Sequence, residues 1–314
     1  MTVEKIHDVV VLGAGTMGPG IAATFARSGY ATTLSDVDPA QLEKARGAIN
    51  FVFETLLGGG FVTEDGVEAA RARLTLTGDA SVAVARADFV VETVPERLDI
   101  KRRVFEQLSD QARENAVLAS DTSGIPISTL QKGLRNPGRV IGMHWSNPPH
   151  LIPVIEIIKG AETAKATVDA TVALVKSMGM VPGIVDRDIP GFVENRILYA
   201  IMREALHLLD EGVASAQAID DIVRWGIGYK LAVIGPLELL DVAGLDVYTA
   251  VAGYLNKNLC NDAGISPTVL GKVDEGKLGI KTQGGLFEYT AAQLEELARK
   301  RARLLLASKK ALLS

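Results

Sequence analysis

The stretch Asp8–Gly20, DVVVLGAGTMGPG, constrains the fold of this chain more than any other. Val9–Leu12 is a short apolar, β-branched run, which is typical of a buried parallel strand. Gly13, Gly15 and Gly18 follow with the spacing G-x-G-x-x-G, and a helix-like run comes next. Such glycines allow the turn off the strand, the close approach of a pyrophosphate and tight helix–strand packing. The pattern therefore predicts a dinucleotide-binding unit.

A second signal is needed, because the same spacing occurs in tight turns of other α/β proteins. Tyr30–Ser35 predicts a second strand, and Asp36 ends it about twenty residues after the glycines. A carboxylate there is expected to bind the adenosine ribose and to repel a 2′-phosphate, which predicts NAD rather than NADP. The alternatives for Asp36 are a solvated turn residue or a helix cap ahead of Pro39. Thr16 and Met17, within the glycine loop, complete the predicted contacts with the cofactor.

The composition is that of a globular protein, with 47% hydrophobic and 23% charged residues. The net charge of −5, without a basic stripe, argues against nucleic acid as a partner. No apolar run is long enough to span a membrane. The single cysteine, Cys260, excludes an internal disulfide and a thiolate cluster, and we expect no metal site. The N-terminal MTVEKIHD lacks the apolar core of a signal peptide, so a cytoplasmic location is expected.

The pattern of predicted elements changes at Ile189-Pro190-Gly191. Before it, predicted strands alternate with helices, and a helical pair at residues 41–74 forms an insertion. After Asp188 the chain shows helical periodicity and no strand-like alternation. We therefore predict an α/β chain with an N-terminal Rossmann domain, built on a mostly parallel sheet, at residues 1–187. An all-α C-terminal domain follows at residues 188–314.

A histidine and a glutamate lie on neighbouring predicted strands in the stretch RVIGMHWSNPPHLIPVIEIIKG. His144 ends one strand, and Glu156 lies in the middle of the apolar strand VIEII, where an unpaired carboxylate would be costly. In a nicotinamide enzyme, a histidine held by a carboxylate suits the base that takes the hydroxyl proton as hydride leaves carbon. A buried structural His–Glu hydrogen bond is the alternative.

Other polar or aromatic side chains are candidate substrate contacts, and each has a structural alternative. Ser123 follows the fourth predicted strand and suits either a substrate oxygen or the turn backbone. Asn195 suits either the substrate or a helix cap. Asn147 either binds the substrate or stabilises the turn. Trp145 either lines the substrate pocket or packs in the core. His150 is either a substrate contact or exposed.

Six motifs, in order, make the chain resemble the 3-hydroxyacyl-CoA dehydrogenase family: GAGTMGPGIA, VVETVPE, SDTSGIPIS, GMHWSNP with VIEII, PGFVENR and GPLELLDVAGLDVY. The resemblance covers nearly the whole chain. It implies a Rossmann domain with a helical insertion, a helical domain that forms a homodimer, and a His–Glu pair at the cleft between them. It implies that His144 is the base and Glu156 orients it. Ser123 and Asn195 would contact the substrate oxygen, with Asn147 close by.

The resemblance also assigns roles around the cofactor. It implies that Asp36 holds the adenosine ribose and that Glu96 and Lys101 lie near the nicotinamide ribose. Without it, the three successive basic residues at 101–103 would predict only a solvated helix face.

The chain departs from the family pattern at three places. Trp145 and Ser146 stand where two aromatic residues are usual, and Asp121-Thr122-Ser123-Gly124 replaces Asn-Thr-Ser-Ser. The insertion segment INFVFETLLGGGFVTEDG contains no Lys or Arg, whereas CoA-using members carry lysines there for the CoA phosphates. The combination of SDTSGIP, GMHWSNPPH, DIPGFVENR, WGIGYK and LGIKTQGG resembles one branch of the family, that of the 5-formyl-3-hydroxy-2-methylpyridine-4-carboxylate 5-dehydrogenases, which oxidise an aldehyde without CoA.

Three functional hypotheses follow. The first is an NAD-dependent oxidoreductase that acts on a 3-hydroxyacyl-type or small β-hydroxy acid substrate. The second is oxidation of a small carboxylated aromatic aldehyde through its hydrate, because Cys260 lies far in sequence from His144. The third is a non-catalytic, crystallin-like NAD-binding protein, against which the presence of both His144 and Glu156 argues.

Overall fold

The computed structural model describes residues 6–313, so the start of the N-terminal segment MTVEKIHD lies outside the described residues. The chain forms two units. The first extends to Val193 and also contains Leu305–Lys309, and the second contains Glu194–Leu304 and the chain from Lys310. The turn after the last strand, up to Val193, belongs to the first unit, and the expected domain boundary after residue 187 stays a prediction. In the described part, no helix has the length and apolar character needed to cross a membrane.

The first unit is built on an eight-stranded sheet with the order β3-β2-β1-β4-β5-β6-β7-β8. Its strands are β1 Asp8–Leu12, β2 Ala31–Ser35, β3 Leu74–Thr77, β4 Phe89–Glu92, β5 Val117–Ser120, β6 Val140–Trp145, β7 Val154–Ile158 and β8 Val181–Val185. Neighbouring strands are parallel, except that β7 runs antiparallel to β6. The predicted fold class, a mostly parallel Rossmann sheet followed by a helical region, is confirmed.

Helices cover the sheet of the first unit: α1 Gly18–Arg27, α2 Pro39–Gly58, α3 Glu64–Ala72, α4 Ser81–Arg86, α5 Leu98–Gln111, α6 Ile127–Gln131 and α7 Lys165–Ser177. The central strands are buried on both faces, which explains their near-continuous apolar sequences. Val10, Val90, Leu118 and Val140 share one core cluster with the apolar face of α5.

One strand was missing from the sequence prediction. The second insertion helix was expected to continue to Leu74, whereas α3 ends at Ala72 and Leu74–Thr77 forms β3. The sequence Leu-Thr-Leu-Thr alternates apolar and polar residues, which is the period of a half-buried strand. β3 pairs with β2 at one edge of the sheet. The sequence pattern does not separate this four-residue strand from α3, because the strand follows the helical pattern directly.

Two edges of this sheet matter for function. We call the ends of β1, β2, β4, β5 and β6 the carboxyl edge, and the starts of the same strands the amino edge. In an open α/β sheet, ligands bind at the carboxyl edge. The sequence places Asp36, Glu92, Asp121 and His144 at or directly after these strand ends.

The second unit is helical: α8 Glu194–Asp210, α9 Ala216–Ile222, α10 Tyr229–Leu231, α11 Pro236–Ala243, α12 Leu245–Leu255, α13 Pro267–Asp274 and α14 Ala291–Leu313. A π-helical turn, Val223–Gly228, joins α9 to α10. Among the residues described, α11 and α12 contain none that is buried, although most of their residues are apolar. Their side chains therefore form an exposed apolar surface.

Candidate active site

His144 and Glu156 lie directly opposite each other in the antiparallel pair β6–β7. Opposed residues share one face of a sheet, so the register brings the two side chains together. His144 Nδ1 lies 2.8 Å from Glu156 Oε2, and both side chains are buried. A carboxylate on Nδ1 favours the tautomer whose Nδ1–H donates to Glu156, and this leaves the lone pair on Nε2. The geometry suits a base, while its catalytic use stays a prediction.

The second oxygen of Glu156 is held by the turn that ends the first unit. Glu156 Oε1 accepts the Val193 backbone N–H at 2.9 Å. Just before Val193, Gly191 has a φ of +77° and Phe192 a φ of +48°, and this conformation is strained for a non-glycine residue. The Phe192 ring is fully buried, 5.9 Å from the imidazole of His144. The turn therefore both orients Glu156 and covers His144.

Each glycine of the glycine loop is required, or tolerated, for a different physical reason. Gly13 has a φ of +107°, and a Cβ on it would lie 2.7 Å from the Thr93 carbonyl oxygen. A Cβ on Gly18 would collide with the carbonyl group of Gly13. At Gly15, in contrast, a Cβ would meet no protein atom within 4 Å, and its φ is not left-handed. The fold thus explains glycine at 13 and 18, whereas no protein contact requires glycine at 15, which agrees with the predicted close approach of a pyrophosphate there.

The observed loop fits a dinucleotide. Gly15 and Thr16 are exposed, and Met17 directly precedes α1, whose first N–H groups have no partner within the helix. A helix start of this kind favours phosphate groups. The predicted contacts of Gly13, Gly15, Thr16, Met17 and Gly18 with the pyrophosphate are therefore compatible with the observed backbone.

Asp36 lies against the same loop. Its Oδ2 accepts the Ala14 N–H at 2.7 Å, and its Oδ1 accepts the Asp38 N–H at 2.9 Å. The helix-cap alternative for Asp36 is wrong, because Asp38 caps α2 by accepting the Ala40 N–H. Asp36 is half-buried, and its contact with the Asp38 N–H is that of a turn residue, so the turn alternative stays open. Binding of the adenosine ribose by Asp36 stays a prediction.

Lys101 is not a solvated charge. Its ammonium is buried and donates to Glu92 Oε1 at 2.7 Å and to the Val94 carbonyl at 3.2 Å, and Glu96 Oε2 lies 3.3 Å away. Glu92 also accepts the Ser120 hydroxyl at 2.6 Å. Such a pair is stable in the interior only because each charge has partners.

Glu92 was not among the predicted site residues. The sequence does contain a signal for Glu92, because a glutamate that ends the apolar strand FVVE needs a partner, as does Glu156 within VIEII. Glu96 links this network to the loop after β5 through the Thr122 hydroxyl at 2.6 Å and the Ser123 N–H at 3.0 Å. Contacts of Glu96 and Lys101 with a nicotinamide ribose stay a prediction.

The predicted substrate contacts have different positions. Ser123 is exposed at the carboxyl edge after β5, and Asn147 is exposed in the loop after β6. Asn195 is the second residue of α8 and belongs to the second unit. These positions leave their substrate contacts as predictions.

Trp145 and His150 are buried. Successive strand residues face opposite sides, so Trp145 points away from His144, and its ring packs against Phe25 of α1 at 5.8 Å. The assignment of Trp145 to a pocket wall beside His144 is therefore wrong, and core packing describes it. His150 is buried near Gly20, so the exposed alternative fails as well. Burial, with the charge of Lys309, lowers the pKa of His150 to about 4.

Comparisons with known proteins agree with this geometry. The model of the 3-hydroxyacyl-CoA dehydrogenase NAD binding domain matches residues 8–189, and that of the C-terminal domain matches residues 191–289. The chain is 46% identical over 309 residues to the 5-formyl-3-hydroxy-2-methylpyridine 4-carboxylate 5-dehydrogenase of Mesorhizobium japonicum, with 98% of each chain covered. It is 35% identical over 289 residues to the 3-hydroxybutyryl-CoA dehydrogenase of Bradyrhizobium diazoefficiens, with 92% of this chain and 97% of the relative covered.

A solved structure is also similar. The crystal structure of a 5-formyl-3-hydroxy-2-methylpyridine 4-carboxylic acid 5-dehydrogenase, an NAD+-dependent dismutase, matches with a TM-score of 0.91, 44% identity and 98% of each chain covered. These relatives are dehydrogenases, which favours an enzyme over the non-catalytic alternative. With a glycine loop that fits a dinucleotide, the chain belongs to the 3-hydroxyacyl-CoA dehydrogenase family and is an NAD-dependent oxidoreductase.

Proposed function

We propose that this protein oxidises a small carboxylated aromatic aldehyde with NAD and without CoA. The observation that carries the proposal is the 46% identity to a dehydrogenase of such a substrate across 98% of both chains. That coverage extends into α14, which begins at Ala291, beyond the residues matched by the family models. The similarity therefore includes a part of the chain outside the common family core.

The helical insertion supports a substrate without CoA. Its segment from Ile49 to Gly66 contains no Lys or Arg to hold phosphate groups. Arg71 of α3 lies against this segment, but its guanidinium donates to Asn50 Oδ1 at 2.7 Å and stacks over the Phe53 ring. Leu306 of α14 is buried against Gly59. A Cβ added to Gly59 would lie 2.6 Å from Leu306 Cδ1. Lys309 lies 5.8 Å from the Phe61 ring, and it is buried rather than open to a phosphate.

In this proposal His144 is the base. Water adds to the aldehyde, and the Nε2 lone pair takes a hydroxyl proton of the hydrate as the C–H bond breaks and the carboxylic acid forms. NAD, when bound, supplies the acceptor for the hydride. Glu156 holds the Nδ1–H and stabilises the imidazolium, and the Val193 N–H keeps Glu156 in place.

Substrate contacts complete the proposed site. Ser123 and Asn195 donate hydrogen bonds to the substrate oxygen, and Asn147 lies close by. The loop residues from Gly13 to Gly18 hold the pyrophosphate, Asp36 holds the adenosine ribose, and Glu96 with Lys101 borders the nicotinamide ribose.

A comparison of two substrates tests the proposal. We expect 5-formyl-3-hydroxy-2-methylpyridine-4-carboxylate to be turned over with NAD at a kcat/KM at least about 100-fold above that for oxidation of 3-hydroxybutyryl-CoA. The measurement is the absorbance of NADH, with the His144→Gln variant as blank. Turnover of the CoA ester alone, with a low KM, would reject the proposal.

That outcome would support the second candidate, a 3-hydroxyacyl-type or small β-hydroxy acid substrate. The observation in its favour is the 35% identity to a 3-hydroxybutyryl-CoA dehydrogenase over 92% of this chain. The same His144–Glu156 pair would serve, because alcohol oxidation needs the same transfer of a proton and a hydride.

We also propose that the protein is a cytoplasmic homodimer. Its single cysteine suits a reducing compartment. Val242 of α11 and Val247 of α12 are 72% and 53% exposed within an apolar surface, which is the kind of surface that a partner subunit covers. We expect Val242→Asp to shift the mass in light scattering from dimer to monomer, whereas Val82→Asp, on α4, leaves it unchanged. A monomeric wild-type protein would contradict the proposal.

A further inference from the structure

Asp121 is a buried acid beside the His144–Glu156 pair that the proposed mechanism does not use. It follows β5 directly, and its backbone N–H donates to the Glu92 carbonyl at 2.8 Å. Its position is therefore set by the same strand ends that form the carboxyl edge.

The side chain of Asp121 continues the link between β5 and β6 after the backbone pairing stops. The last pair between these strands is Ser120 with Gly142, yet β6 extends to Trp145. Asp121 Oδ1 accepts the Trp145 N–H at 2.9 Å. Without this acceptor, a buried N–H next to His144 would lose its partner, which is costly. The carboxyl group thus holds the strand end that carries the imidazole.

Charged groups face Asp121 from three elements. His144 lies on β6, Lys101 on α5 and Glu92 on β4. Burial raises the pKa of Asp121 to about 8, and the Glu92 carboxylate adds to the rise. The Trp145 N–H, the imidazolium form of His144 and the charge of Lys101 act in the opposite direction. The carboxyl group is therefore neutral at neutral pH and ionises as the pH rises through about 8.

We propose that Asp121 is a positioning residue of this site, which holds the end of β6 through Trp145 and couples its own ionisation to that of His144. The activity part of this inference rests on the proposed role of His144 as base.

The sign of the coupling follows from charge. An ionised Asp121 favours the imidazolium form of His144, so loss of a proton from Asp121 raises the pKa of His144. Because the two groups interact, their protons leave in coupled steps, and the titration of the imidazole extends over a wider pH range. Asparagine at 121 keeps an oxygen for the Trp145 N–H but has no charge to couple.

Nitrogen-15 NMR of the imidazoles tests this directly. The chain has four histidines, and His144→Gln identifies the signals of His144. We expect a broad titration of His144 in the wild type. In Asp121→Asn we expect a single step that lacks the upper part, near and above pH 8, which the ionised Asp121 adds to the wild-type curve. Titration curves that coincide in the two proteins would overturn the coupling.

A matched control is available at the opposite edge of the sheet. Asp88 is also buried and also accepts backbone N–H groups, those of His7 and Asp8 at 2.9 and 3.1 Å. Asp88→Asn removes a buried charge from the same sheet, and we expect it to leave the His144 titration unchanged. A shift in Asp88→Asn equal to that in Asp121→Asn would reject a local coupling.

Turnover separates the holding role from the charge. We expect Asp121→Ala to lower kcat by about tenfold or more, and Asp121→Asn to retain most of the wild-type kcat at neutral pH. Equal losses in both variants would reject the holding role. The proposed function fails by a different result, full turnover in His144→Gln, and the NMR titration is independent of that result.

Discussion

The two edges of the sheet carry similar buried acids that have different partners. At the amino edge, Asp88 accepts the backbone N–H groups of His7 and Asp8 and lies 3.3 Å from the half-exposed Arg113. At the carboxyl edge, Glu156 contacts His144, and Glu92 contacts the buried Lys101.

The difference teaches that burial of an acid does not by itself indicate catalysis. An acid held mainly by backbone N–H groups fixes the chain, whereas an acid held against an imidazole is also able to stabilise a proton in transfer. Substitutions at the carboxyl edge should therefore change chemistry, and substitutions at the amino edge should change stability.

His144→Gln should have the largest effect. Loss of the base should lower kcat by about 10³–10⁴-fold and leave NADH affinity nearly unchanged. Steady-state kinetics and NADH fluorescence titration measure the two quantities, and His207→Gln on α8 is the control. Equal losses of turnover and NADH affinity would assign His144 to folding or to cofactor binding.

Glu156→Gln should follow. An amide retains the shape of the side chain but removes the charge that stabilises the imidazolium, so kcat should fall by roughly 10²–10³-fold. Thermal unfolding of the same variant checks that the contact with Val193 is kept. An unchanged kcat would make the pair purely structural and would remove the contrast between the edges.

Asp36→Ala should weaken NAD binding by about 10- to 100-fold, because a charge-assisted hydrogen bond to the ribose is lost. Substrate KM at saturating NAD should change much less. Asp36→Asn serves as control for the loop, since an amide oxygen still accepts the Ala14 N–H. Unaltered NAD affinity in both variants would remove the ribose assignment.

Asp88→Asn should have the smallest effect, and it should change stability rather than turnover. We expect about 1 kcal/mol less free energy of unfolding, because the charge-assisted contact of Asp88 with the half-exposed Arg113 is weakened. The kcat should be unchanged. A loss of kcat without a loss of stability would contradict the division of roles between the two edges.

Local sequence patterns determined much of this protein. The glycine loop, the first two strands and the position of Asp36 follow from residues close together in the chain, since turn geometry and strand burial are local requirements. The spacing of His144 and Glu156 on adjacent strands also allowed their pairing to be expected. The change from alternating strands and helices to helices alone indicated a helical region after the sheet.

Only the tertiary structure decided which buried polar groups meet. Trp145 faces α1 rather than His144, Lys101 lies between Glu92 and Glu96, and Asp121 holds the Trp145 N–H. The last of these contacts joins residues 24 positions apart, and Val193 reaches Glu156 across 37. Such contacts depend on strand register and on the direction of each side chain, and a polar residue in a single sequence does not specify its distant partner.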